Sequence, residues 1–460
     1  MELQDKVILY KEEVIKSIQE AVKIKSVLEP KLPNMPFGKG PAEALEYFLD
    51  LGKKLGFKVE NFNNYVGTIE FGDGEETLGI LAHVDVVPEG EGWSYPPYSA
   101  KIVNNKIIGR GVLDNKGPAI ISLYAMKVIS DLGIKLNKKV KMYLGTNEET
   151  DSKCMEYYFE NLKMPKPDIA FTPDATFPVT YGEKGIICLK LLKKFDNIKN
   201  IKINGGFAFN CIPEITEISI PIDYLGEVKK ELEKYNNNNI HKIELELKEN
   251  IYHFISHGLG GAAANPALGY NSISAFFDFI KNIEIKNKEL QDIVDFFNKY
   301  IKKETNGKAL GIDCKDDESG ELTVNIGRIT LEDNNLEIWL DIRCPIKIST
   351  QDILEKLKQN LEKEIKIEVS RFFPSVYVPK ESFLVSTLMK IYQDFTGDKV
   401  NQPRVIGGRT YSRAVKNCVA FGALLLDQED NMHKPNESLE IEKIDILLKI
   451  FSETIYQLAK

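Results

Sequence analysis

Short apolar runs alternate with helical stretches along the first part of this chain, and that alternation commits it to an α/β sheet of doubly wound type. The β-like runs lie at 59–71, 77–87, 140–144 and 169–171, with an apolar helix at 117–132 following a Gly-rich turn. An amphipathic helix is expected at 3–24. Near residue 185 the character changes. Glu217-Ile218-Ser219-Ile220-Pro221-Ile222-Asp223 precedes a Lys/Glu-rich helix that reaches Tyr235, and Glu337-Ile338-Trp339-Leu340-Asp341-Ile342-Arg343 precedes another that reaches Glu364. Each helix leads into an alternating strand, at 242–247 and 365–369. A duplicated strand–helix–strand unit implies an inserted α+β lid of two related halves. The expected organisation is therefore a catalytic α/β domain with a mixed sheet flanked by helices (1–184 and 376–460), interrupted by the lid (185–375). A chain of 460 residues is too long for one ordinary core, which agrees with two domains.

Bulk properties exclude several classes. A net charge of −8 is opposite to the clustered basic excess of a nucleic-acid surface. No run approaches the roughly 18–20 apolar residues of a membrane span, so no membrane partner is expected. Met1-Glu2-Leu3-Gln4-Asp5 is not a basic start followed by an apolar block, which makes cytoplasmic residence the expectation. Six scattered cysteines without a CxxC pair read as reduced thiols.

The chemistry-bearing residues sit at or beyond strand ends, where open α/β sheets bind ligands. His83 and Asp85 lie in Ala82-His83-Val84-Asp85-Val86; two residues apart on a strand they share a face, as a ligand with its orienting carboxylate or as a solvated edge pair. Asp114 occupies a glycine-flanked turn before a helix, a position that also suits a plain helix cap. Glu148 and Glu149 are adjacent acids just past a strand. Asp174 follows another short apolar run, and His433 lies in Met432-His433-Lys434-Pro435-Asn436-Glu437. Two imidazoles and three carboxylates are suitable donors for two zinc ions about 3.5–4 Å apart with one carboxylate bridging.

The ordered set HVDVVPEG–GW–PP, GRGVLDNKGP, the EET turn, PDATFPV and MHKPNE resembles the dinuclear zinc aminoacylase/carboxypeptidase superfamily. The length, bulky lid and DIRCP and GGRTYSR motifs look most like its PepV-type dipeptidase (Xaa-His dipeptidase) branch, with matches from about residue 79 to 437. The resemblance implies that His83 and Asp174 hold one zinc, that Glu149 and His433 hold the other, and that Asp114 bridges them through a residue joined to Asn115 by a cis peptide bond. It also implies Glu148 as general base on a metal-bridging water, Asp85 as the group orienting His83, and Arg343 as a grip on the substrate's terminal carboxylate. The blander role for Arg343 is a salt bridge within its sheet. Asn210 resembles the lid asparagine near substrate. The ligand set would also accept manganese or cobalt, and the large lid implies a monomer acting on small peptides.

Two positions depart from the pattern. Gly261-Ala262-Ala263-Ala264-Asn265-Pro266 places Ala262 where the family carries an oxyanion-stabilising histidine; His257 lies five residues earlier. Where the family has GGGTYAR, this chain has Gly407-Gly408-Arg409-Thr410-Tyr411-Ser412-Arg413. Arg409 is expected to narrow the substrate pocket or bind an anion, and Arg413 to hold the loop or contact the substrate. The expected function is hydrolysis of dipeptides. The alternatives are an N-acyl-amino-acid amidohydrolase and a metal-retaining homologue with impaired turnover that binds peptide-like ligands.

Overall fold

The computed structural model describes residues 3–196 and 198–460, with side chains from Lys6 onward. Met1 and Glu2, which bear on the expected absence of a leader, lie outside the described residues. The chain divides into two compact units: Met1–Gly182 with Val378–Arg404 and Arg409–Lys460, and Glu183–Tyr377 with Val405–Gly408. The sequence reading ran the insert from 185 to 375; here the short Val405–Gly408 segment also belongs to the second unit.

In the first unit the sheet runs in the order Lys58–Phe62, Val66–Phe71, Lys139–Gly145, Thr77–His83, Ile169–Thr172, Cys418–Phe421, Val179–Glu183. The four inner strands, from Lys139–Gly145 to Cys418–Phe421, pair in parallel, and the flanking ones pair antiparallel. Buried parallel strands are apolar on both faces. Leu78, Ile80, Leu81 and Ala82 are accordingly all buried. Leu81, Tyr143 and Ala170 join Met155, Tyr158, Phe159 and Tyr411 in one apolar cluster. The Lys116–Asp131 helix, buried along most of its length, packs with Lys443–Ala459 and Lys11–Val22.

Two expectations need correction. The single helix at 3–24 is two, Leu3–Ile8 and Lys11–Val22, parted by a turn in which Tyr10 anchors itself by a hydrogen bond from its hydroxyl to Asp131. The β-like run at 59–71 is a hairpin. Asn63 and Asn64 both have positive φ (54° and 58°), the turn geometry that asparagine tolerates and that matches strand twist.

The second unit holds an antiparallel sheet ordered Ile243–Lys248, Ile251–His257, Ile215–Pro221, Lys202–Gly206, Thr323–Glu332, Asn335–Cys344, Gly185–Lys194, Lys366–Phe373. The two strand–helix–strand units occupy equivalent places from either edge. Ile215–Pro221, the Val228–Asn238 helix and Ile243–Lys248 mirror Asn335–Cys344, the Thr350–Asn360 helix and Lys366–Phe373. Period-2 alternation sorts the faces. Leu336, Ile338, Leu340 and Ile342 join the apolar core, whereas Glu337, Trp339, Asp341 and Arg343 fall on the opposite face. Among the described residues no helix is long and apolar enough to cross a membrane.

Candidate metal centre

Six side chains of the first unit converge at the carboxyl ends of its parallel strands. His83 is the last residue of its strand; Glu148 and Glu149 follow the Lys139–Gly145 strand; Asp174 follows Ile169–Thr172. Asp114 precedes the Lys116–Asp131 helix, across a peptide bond to Asn115 that is cis, and His433 comes from the carboxyl-terminal loop.

Asp114 sits between the two histidines. Its Oδ1 lies 2.9 Å from Nε2 of His83, which is also 3.6 Å from Oδ2 of Asp174. Its Oδ2 lies 2.8 Å from Nε2 of His433, which is 3.3 Å from Oε2 of Glu149. Two groups, His83–Glu148–Asp174 and His83–Asp114–Glu149, each present donor atoms within 4.8 Å of one another. His83 is fully buried while the His433 side chain is 54% exposed, so one half of the cluster is closed and the other reaches solvent.

The electrostatics of this cluster are incomplete as protein alone. Nδ1 of His83 is 2.9 Å from the backbone carbonyl of Asp85, an acceptor, which places a ring proton there and leaves Nε2 of the neutral ring as a lone pair. That lone pair faces carboxylate oxygens, and Nε2 of His83, Oε1 of Glu148 and Oε1 of Glu149 are all buried without a hydrogen-bond partner among the described residues. Buried acceptors aimed at one another cost free energy unless a cation lies among them. The titration tendencies report the same crowding. Burial, opposed by Arg409, pushes the Glu148 carboxyl up to about 8. Burial and the neighbouring Asp114 push Glu149 up to about 7, and the same two causes raise Asp174. Hydrogen bonding to Asp114 and Glu149 lifts His433 to about 11. His83 is raised well above an ordinary imidazole by Asp114, Asp174 and Asp85, although burial opposes it. Asp114 is held far below the usual carboxylate range by both histidines, against its burial. Protons occupy, in effect, the places that suit divalent cations, and the His/Asp/Glu donor set fits such ions.

Asp85 touches both His83 and the Glu148–Glu149 turn. The strand ends at His83, so the two residues do not alternate on one strand face, and the Asp85 carboxylate stands 3.5 Å from Nδ1. Its oxygens also accept from the backbone N–H groups of Glu148 (3.0 Å) and Glu149 (3.1 Å), and its main-chain carbonyl meets the imidazole. Arg409 lies against Glu148 and the turn that follows it: one arm donates to Ser152 Oγ at 2.8 Å, the other to the Glu148 carbonyl, 3.7 Å from Oε2 of Glu148. Arg413, in the Tyr411–Ala414 turn, is half-buried.

The remaining predicted residues belong to the second unit. Arg343 is buried and bidentate to Asp341 (Nε to Oδ1 2.6 Å, Nη2 to Oδ2 2.8 Å), with Nη1 donating to the Gly407 carbonyl at 2.6 Å. Of the two roles open to it in the sequence, the salt bridge within its sheet is the one these contacts display. Asn210 is exposed, its carbonyl accepting from the Ala263 N–H at 3.0 Å. Ala262 is exposed in a short strand pair opposite Cys211, and His257 Nε2 is 3.0 Å from a Glu244 oxygen.

Three supporting residues escaped sequence reasoning. Glu437, fully buried, accepts from the N–H groups of Gly111, Leu113 and Asp114 and from Arg110 (2.7 Å), tying the His433 loop to the Asp114 turn. Arg110, itself buried, is the cation of that pair. Asn115 accepts from the His83 N–H and donates to the Pro173 carbonyl, fixing His83 beside Asp174. Glu437 and Arg110 stand inside motifs already singled out, and that placement was the available signal.

Comparison with known proteins agrees with the geometry. Residues 79–457 match the model of peptidase family M20/M25/M40. The "Putative dipeptidase YtjP" of Bacillus subtilis is 34% identical over 474 residues, covering 100% of both chains. Human carnosine dipeptidase 1 (TM-score 0.59, 14% identity, 99% of this chain and 98% of that one) and the M20 family metallo-carboxypeptidase of Sulfolobus solfataricus (TM-score 0.59, 20% identity, 97% and 99%) share the fold. The chain belongs to peptidase family M20/M25/M40, and it is a metallopeptidase.

Proposed function

We propose that this chain hydrolyses the peptide bond of dipeptides using two divalent cations, with Glu148 as the general base. The observation that carries this reading is Asp114, whose two oxygens each face a histidine, one flanked by Asp174 and the other by Glu149. His83 and Asp174 would hold one ion, His433 and Glu149 the other, with Asp114 shared. When bound, the cations supply Lewis acidity that polarises the scissile carbonyl and lowers the pKa of water toward neutrality. Zinc fits this donor set, and manganese or cobalt would also be accepted.

The chain's own groups do the rest. Glu148 has one carboxylate oxygen without a hydrogen-bond partner in the cluster, positioned to take a proton from attacking water and return it to the leaving amine. Asp85 holds the N–H groups of both glutamates, so general base and ligand stay in register. The relatives' dipeptidase names support a short peptide as substrate. Ala262 favours a second reading of reduced turnover, because it offers no side-chain donor where the resemblance expects one. Losing one oxyanion donor typically costs about 10²–10³ in rate.

The test is a hydrolysis screen of unmodified dipeptides and N-acyl amino acids with added zinc, manganese or cobalt, run beside Ala262→His. Metal-dependent dipeptide cleavage by the parent supports the proposal. Cleavage of N-acyl amino acids alone would reassign it to an amidohydrolase, and activity only in Ala262→His would establish the impaired homologue.

A further inference from the structure

Glu148 is fixed by its backbone on both sides. Its N–H donates to Asp85 Oδ1 at 3.0 Å, and its carbonyl accepts from the guanidinium of Arg409. The other arm of Arg409 reaches Ser152 Oγ at 2.8 Å, at the far end of the same turn. This turn closes on itself through the Ser152 N–H to the Asn147 carbonyl (2.8 Å) and the Lys153 N–H to Asn147 Oδ1 (3.1 Å), and Ser152 adopts a positive φ of 56°. The planar fork of Arg409 therefore spans the segment that carries Glu148 and Glu149, first residue to last. The charge also lies 3.7 Å from one Glu148 oxygen, while the other oxygen has no hydrogen-bond partner among the described residues.

We propose that Arg409 is a positioning residue: it clamps the Glu148–Ser152 turn and thereby sets where the Glu148 carboxylate stands. The inference rests on Glu148 being the general base, and it replaces the expectation that Arg409 binds substrate. A guanidinium suits this task because its donors are fixed in one plane, so two acceptors four residues apart are held at a set separation. Lysine offers a single point of charge and can satisfy only one of them well. The glycine of the related motif can satisfy neither.

The test compares the metal-loaded parent with Arg409→Gly, Arg409→Lys and Glu148→Gln, using a dipeptide that the parent cleaves and backbone hydrogen exchange at residues 148–153. A displacement of about 1 Å can cost about 10² in rate. Arg409→Gly should therefore lower kcat by about 10- to 100-fold with KM within about twofold of the parent, and Arg409→Lys should recover part of that loss. Exchange of the Glu148, Glu149, Ser152 and Lys153 amides should quicken about tenfold in Arg409→Gly, with the parent's metal content retained. Unchanged exchange together with unchanged kcat overturns the clamp. A raised KM at unchanged kcat overturns it in favour of a substrate contact. If Glu148→Gln keeps the parent's kcat, the general-base reading fails by itself, and the exchange rates then decide separately whether Arg409 holds the turn.

Discussion

Asp341 in the inserted unit and Asp114 in the first unit are both buried carboxylates, but their surroundings differ. Asp341 has each oxygen met by a nitrogen of Arg343, 2.6 and 2.8 Å away. Its charge is balanced and its acceptors are filled by protein alone. Asp114 lies among Glu148, Glu149 and Asp174, with two histidines to share among four acids, and three buried atoms of that cluster lack a hydrogen-bond partner among the described residues. Evolution tolerates such an arrangement where a ligand completes it. Buried charge thus has two uses here: one pair completes a sheet, and one cluster presents donors suited to cations.

The strongest way to break the comparison is to replace the shared carboxylate. Asp114→Asn should lower dipeptidase activity to that of the chelator-treated parent and reduce bound metal at both halves, read by metal analysis and initial rates. Loss of a single ion with activity retained would mean that Asp114 is not shared. Glu148→Gln should lower kcat by about 10²–10⁴ while metal content stays at the parent's level; a parallel loss of metal would make Glu148 a ligand instead.

The other side of the comparison predicts a stability effect without a metal effect. Asp341→Leu leaves Arg343 buried and unpaired, which should cost about 3–5 kcal/mol in denaturant unfolding, and the double replacement Asp341→Leu with Arg343→Met should restore much of it. Metal content should not move in either variant. The smallest effect concerns pH. Hydrogen bonding to Asp114 and Glu149 raises the proposed ligand His433 to about 11, and burial raises the proposed ligand Glu149 to about 7, so near neutrality the metal-free ligands hold protons that incoming cations displace. Affinity should therefore fall as pH drops from about 9 to about 6, by roughly tenfold per unit for each proton displaced. Calorimetric titration in buffers of different ionisation heat should show proton release on binding, and heats independent of buffer would refute it.

Much of this arrangement was legible in the sequence because its parts are local. His83, Glu148, Glu149 and Asp174 stand at or just past strand ends, and the strands announce themselves by short apolar runs. Asp114 and His433 needed their motifs, since a capping aspartate or a loop histidine alone looks ordinary. Contacts across long separations were not legible. Spacing pointed Asp85 at His83 but gave no sign that its carboxylate also serves amides 63 and 64 residues away. Glu437 and Arg110 meet across 327 residues, and Arg409 reaches Glu148 across 261. Local pattern marked 59–71 as β-like without placing the turn within it, although the paired asparagines carried the turn signal.

The measurement that bears most directly on the central claim is a stoichiometric titration of the metal-free chain with zinc or manganese, followed by bound metal and dipeptide hydrolysis together. The account predicts two ions per chain, with activity appearing as they bind and both lost in Asp114→Asn. Full activity in the metal-free chain, or a parent that binds no divalent cation, would contradict it.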